Sequence, residues 1–96
     1  MNSTEQQKDS LKELMQIPGV GKSIARDLLN IGITKISQLK GRNPEVLYNK
    51  SNIKAGIVQD RCLLYVFRGA VYYASNKKHD PEKLKWWNWK DGRFEK

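Results

Sequence analysis

A chain of 96 residues with a formal net charge of +8 has room for one domain with a modest core, which excludes large multidomain enzymes. At 39% hydrophobic and 29% charged residues, its composition is that of a globular protein rather than a disordered one. The longest apolar run, residues 62–67, falls far short of the about 20 residues a membrane span requires. Residues 1–10 are polar and lack the apolar stretch of a signal peptide, and a single cysteine, Cys62, cannot form an internal disulfide. These features together lead to the expectation of a reducing, cytoplasmic setting. The charge is uneven. Residues 1–48 carry 7 basic and 5 acidic side chains, net +2, and residues 49–96 carry 11 and 5, net +6. A basic surface favours an acidic partner, of which nucleic acid is the commonest, although charge alone speaks only to non-specific binding.

Residues 1–8 show no apolar periodicity and read as a flexible tail, with a single domain over 9–92. Ser10 and Glu13 have the spacing of a capping box, which opens a short helix carrying Leu11, Leu14 and Met15. Pro18 stops that helix, because a proline pushes the preceding residue out of the helical region. After the turn Gly19-Val20-Gly21, a second helix is predicted over residues 22–30, with Ile24, Ala25, Leu28 and Leu29 as its apolar stripe and Gly32 just past its end. Thr34 is the expected N-cap of a third helix holding Ile36 and Leu39 and ended by Gly41. Asn43-Pro44 opens a short fourth helix with Val46, Leu47 and Tyr48. The longest periodic segment, 58–75, places Cys62, Leu63, Val66, Phe67, Ala70, Val71 and Ala74 on a wide apolar stripe, the signature of a central core helix. Asp80-Pro81 starts a last helix that runs through Leu84, Trp86, Trp87 and Trp89 to Gly92. No strand-like alternation is present, so the expected fold is all-α, one small domain of five to six short helices.

The segment 14–29 carries the most chemistry. Apolar residues flank a Gly-x-Gly turn, and Ala25, four positions past Gly21, is small enough to let two helices approach. Val20 can plug the helices together, and the glycines supply backbone freedom. The second helix begins at the turn, so its unsatisfied N–H groups and its dipole attract a phosphate. Lys22 adds a point charge there and Ser23 a neutral donor. The segment resembles the helix-hairpin-helix motif of DNA repair and recombination proteins. That resemblance implies phosphate contacts at Gly19, Val20, Gly21, Lys22 and Ser23, to double-stranded DNA read by its backbone rather than its bases. Lys12, Arg26, Lys35 and Lys40 are the basic side chains able to extend the face. An ordinary helical hairpin with a glycine turn is the competing reading. A nucleotide-binding P-loop is excluded, since Gln16 stands where its first glycine would be and no strand precedes it. Residues 29–39 look like a degenerate second half of the unit, with Gly32 alone at its turn.

Arg61, Tyr65, Arg68 and Tyr72 fall on one face of the central helix. They can form a stacking and interaction face, or a flank packed beneath the last helix with the arginines against tryptophan; the packed flank is the expected one. In the last helix Trp86 and Trp89 share a face while Trp87 points roughly 100° away, so one indole is expected to be partly exposed, as a stacking or protein-partner site or as a lid on the core. The run from Asp60 to Ala74 with the Trp-Trp-Asn-Trp ending resembles the bacterial pathogenicity locus family of small helix-hairpin-helix proteins, some of whose members carry a mitomycin-resistance label. The resemblance spans roughly residues 8–92 and implies a SAM-like arrangement of helices and a bacterial DNA-binding role. His79 and Cys62 lie 17 residues apart and are single of their kind, which gives neither a Cys–His pair nor a zinc set. The acids are scattered rather than clustered for Mg²⁺. The expectation is therefore a non-catalytic protein with no cofactor and no metal. A lysine-based DNA lyase and a protein-interaction module using an exposed Trp/Tyr/Arg face are the alternatives.

Overall fold

Helix propensity and capping divide the chain as follows. A computed structural model describes residues 3–91, and Gly92, the expected end of the last helix, lies outside the described residues. Four α-helices, α1 (Ser3–Leu14), α2 (Lys22–Asn30), α3 (Pro44–Ala55) and α4 (Arg61–Ser75), are joined by three 3₁₀ turns, Ile36–Leu39, Pro81–Leu84 and Trp86–Trp89. The class is all-α, as expected, with no strand among the described residues, but the count is four α-helices rather than five or six. No helix among the described residues is long and apolar enough to cross a membrane.

α4 is the central element. It buries Leu63, Leu64, Val66, Phe67, Gly69 and Ala70, and it packs against α3 and the turns at 36–39, 81–84 and 86–89. The rest of the core comes from Leu14 at the end of α1, Ile17 and Val20 in the connection that follows, Ala25 and Leu28 of α2, then Ile33, Leu39, Leu47 and Tyr48. α2 has the predicted bounds. It closes on Gly32, whose φ of +90° allows the Gly32 and Ile33 amides to donate to the carbonyls of Leu29 and Leu28.

Several elements differ from the sequence reading. α1 begins at Ser3, so residues 3–8 are its opening turns and Ser10 lies inside it rather than at its N-cap. The run of Glu5, Gln6, Gln7 and Lys8 consists of good helix formers and needs no apolar face to propagate a helix already anchored at Leu14. Glu13, freed from the capping role, accepts from the Ile36 amide at 2.7 Å and ties α1 to the 36–39 turn. That turn is 3₁₀ with Lys35, not Thr34, at its N-cap, where the Gln38 side chain accepts from both the Thr34 and Lys35 amides. α3 runs to Ala55, well past Tyr48. Its second half is held by polar contacts that apolar periodicity does not register: Gln59 donates to Ser51 and Asn52, and Tyr48 donates to the Gln59 carbonyl.

The tryptophan segment is two 3₁₀ turns rather than one helix, and the side-chain donors explain why. In a continuous α-helix the carbonyls of Glu82 and Lys83 would accept from residues 86 and 87. Here they accept instead from the Asn88 side-chain Nδ2 and the Trp89 indole N–H, at 2.8 and 2.7 Å. The break at Lys85 lets each indole seat separately. Trp86 sits against Gly19, and Trp89 sits over Gly69 in the middle of α4.

Gly19 has φ +88°, and a methyl group placed on it would lie 3.0 Å from Cδ1 and 3.1 Å from Cβ of Trp86. Gly21 is extended, with φ −92°, and a methyl group there meets nothing in the protein. Gly19→Ala should therefore cost roughly 2 kcal/mol from the left-handed backbone and the displaced indole, and lower Tm by about 10 °C. Gly21→Ala should melt within a degree or two of the parent, and equal melting shifts for the two variants would contradict this assignment of roles.

Candidate functional site

The free amides of the α1–α2 connection arise from its own hydrogen bonding. Val20 is buried as the expected plug, and its N–H donates to the Ile17 carbonyl at 3.0 Å. The first intrahelical bond of α2 runs from Ala25 to the Gly21 carbonyl. The amides of residues 21–24 therefore open the helix without an acceptor among the described residues, while Val20 takes part through its side chain alone. Gly21 is the N-cap and brings no side-chain cap, and no acidic residue occupies the first turn. Three other starts are closed by the side chains at their N-caps. Asn43 accepts from Glu45 and Val46 at the start of α3, Asp60 accepts from Cys62 at α4, and Asp80 accepts from Glu82 at the 81–84 turn.

Lys22, Ser23 and Arg26 together line one open depression of about 420 Å³ beside this helix start. Lys22 and Arg26 have no ion-pair partner among the described residues. Gly19 lies on a different side, under Trp86. Lys12, Lys35 and Lys40 are exposed but do not line the depression; Lys35 lines another one, with Asp9 and Thr34.

The polar groups of the Tyr–Arg stripe are engaged by the chain itself, with Arg61 still 52% exposed. Arg61 grips Asp91 with two side-chain hydrogen bonds of 2.9 and 2.8 Å. Arg68, only 12% exposed, pairs with Asp91 at 2.9 Å and Glu45 at 3.3 Å, and donates to the Trp89 carbonyl at 2.8 Å. Tyr65 donates to Asp91, and the Tyr72 hydroxyl accepts from the Asp80 amide. The arginines thus hold the tryptophan segment through its carboxylate and carbonyl rather than by stacking on indoles. Of the three indoles, Trp87 is the exposed one, at 54%.

Asp91 was not among the residues singled out from sequence, since one acid near the chain end carries no pattern. Arg61 above all, with Arg68 adding and loss of hydration opposing, lowers its carboxyl to about 2. A depressed carboxyl stabilises the fold above its unfolded value of about 4, and that contribution is lost as pH falls toward the folded value. Tryptophan emission should accordingly change between about pH 4 and pH 2. Asp91→Asn should show the acid-form emission already at neutral pH; emission identical to the parent at every pH would remove Asp91 from this role.

Cys62, expected in the core, is exposed. α4 starts at Arg61, not near residue 58, so Cys62 falls in the first turn, ahead of the buried stripe. Its thiol is pushed up, first by a hydrogen bond to Asp60. No group of three or more His, Cys, Asp or Glu able to hold a metal occurs among the described residues.

These elements define a small all-helical protein in which the start of α2 is open and basic. Residues 7–95 match the model of the pathogenicity locus family, and the chain belongs to that family. It is 36% identical over 77 residues to the mitomycin resistance protein McrB of Streptomyces lavendulae, an alignment covering 80% of this chain and 70% of that protein. No solved structure matches the chain.

Proposed function

We propose that this protein binds double-stranded DNA through its phosphate backbone at the α1–α2 turn, acting as a helix-hairpin-helix unit in a SAM-like helical domain. The reading is of a non-catalytic, largely sequence-independent binder in the bacterial cytoplasm, serving DNA repair or damage resistance. One observation carries it: the start of α2 is without a side-chain cap or a first-turn acid, whereas α3, α4 and the 81–84 turn are capped by their own side chains. Lys22, Ser23 and Arg26 surround that start. Open amides at the positive end of a helix dipole, with two cations beside them, are complementary to a phosphate. Gly21, where a Cβ would meet no described atom within 4 Å beyond its chain neighbours, leaves room for a backbone to approach from outside. The relative's name, a resistance protein, accords with a protective role.

The test is a titration of the ¹⁵N-labelled protein with a short duplex, followed by amide shifts. Shifts should concentrate on residues 21–26. A second reading, a protein-interaction module, draws support from Ile53, Ile57 and Val58, which are 80%, 66% and 79% exposed around the end of α3. Shifts confined to residues 53–58, or none at low salt, would reject the α2 site.

A further inference from the structure

A cleft of about 390 Å³ lies between α2, the start of α4 and Trp86. That volume is in the range of small-molecule sites, about 300–1,000 Å³. Its apolar walls are Ile24, Leu63, Val66 and the Trp86 indole, and its polar rim includes Asp27 and Asp60. In a chain of net charge +8, this lining contains two carboxylates and no lysine or arginine. Asp60 is committed to the Cys62 amide, at 2.9 Å. Asp27 has no hydrogen-bond or ion-pair partner among the described residues, and partial burial pushes its carboxyl up because nothing offsets the charge. On α2, Ile24 and Asp27 are one turn apart and both line the cleft, while Lys22, Ser23 and Arg26 line the separate depression.

We propose that this cleft binds a small organic cation, an amine whose apolar body lies along Ile24, Leu63 and Val66 against Trp86 and whose ammonium pairs with Asp27. The bound ammonium supplies the counter-charge that Asp27 lacks, and the walls supply the burial. An anionic ligand is disfavoured by both rim carboxylates, which also keeps a nucleic-acid backbone out of this cleft.

The probe is 2-naphthylmethylamine, compared with 2-naphthalenemethanol, its neutral counterpart of the same shape. Affinities are measured on the full chain from shifts of the Trp86 indole N–H and the Ile24 and Leu63 amides. The amine should bind about tenfold more tightly than the alcohol, and Asp27→Asn should abolish that preference while leaving the alcohol within about twofold. Saturating amine should also slow alkylation of Cys62, which lines the same cleft. Equal affinities for amine and alcohol, a preference that survives Asp27→Asn, or unchanged Cys62 alkylation would each overturn the proposal. Asp27 lies outside the Lys22–Arg26 depression, so none of these outcomes depends on the DNA reading.

Discussion

Phe67→Ala is expected to lower the stability of this domain by about 3–5 kcal/mol. Phe67 is 0% exposed, lies at the centre of α4, and is among the largest side chains fully enclosed by the core. Removing the ring loses its transfer free energy and leaves a cavity that helices on several sides cannot all close. A domain of this size is stable by only about 5–15 kcal/mol, so the loss is a large share of the total. Tm should fall by roughly 15–30 °C, at about 4–8 °C per kcal/mol. Urea unfolding followed by circular dichroism checks this. Ile53→Ala, at a side chain 80% exposed, is the internal control and should stay within about 0.5 kcal/mol of the parent. A loss below about 1 kcal/mol for Phe67→Ala would mean that α4 is not the centre of the core.

Replacing Lys22 and Arg26 together by alanine is expected to weaken duplex binding by about thirtyfold to a hundredfold at low salt, with no change in melting temperature. Each cation removed takes away one phosphate contact worth roughly 1 kcal/mol or more, and 1.4 kcal/mol is a factor of ten. Stability should hold, because neither side chain has an ion-pair partner to lose among the described residues. Lys12→Ala with Lys40→Ala, which leaves the total charge equally reduced, should weaken binding by no more than about threefold, since their side chains do not line the depression. Equal losses for the two double variants would mean that net charge, not the α2 start, attracts DNA. Anisotropy of a labelled duplex reads both.

Much of the fold was legible because its signals are local. α2 and its glycine stop, the Asn43-Pro44 and Asp80-Pro81 starts and the α4 stripe each follow from capping or periodicity within a few residues. The parts that escaped depend on partners distant in sequence. Glu13 reads as half of a capping box until the Ile36 amide is seen to use it. The Asp80 cap starts a helix, but the Asn88 and Trp89 side chains take the carbonyls that would have continued it. The site was legible in the same measure. Lys22, Ser23 and Arg26 are near neighbours on one helix start, and they line one depression. The role of Gly19 depends on Trp86, and the fate of Arg61 and Arg68 on Asp91, neither of which local spacing can supply. The excess positive charge of the second half is thereby partly explained, since two of its arginines are engaged in holding the tryptophan segment.

The central claim, that a few phosphates are held at the start of α2, is tested most directly by the salt dependence of duplex binding. With about 2–4 phosphate contacts, the logarithm of the association constant should fall with the logarithm of salt concentration at a slope of about −2 to −4. The slope should shrink by about 2 in the Lys22→Ala, Arg26→Ala double variant. Absence of binding at low salt, or a slope that the double variant leaves unchanged, would contradict the account.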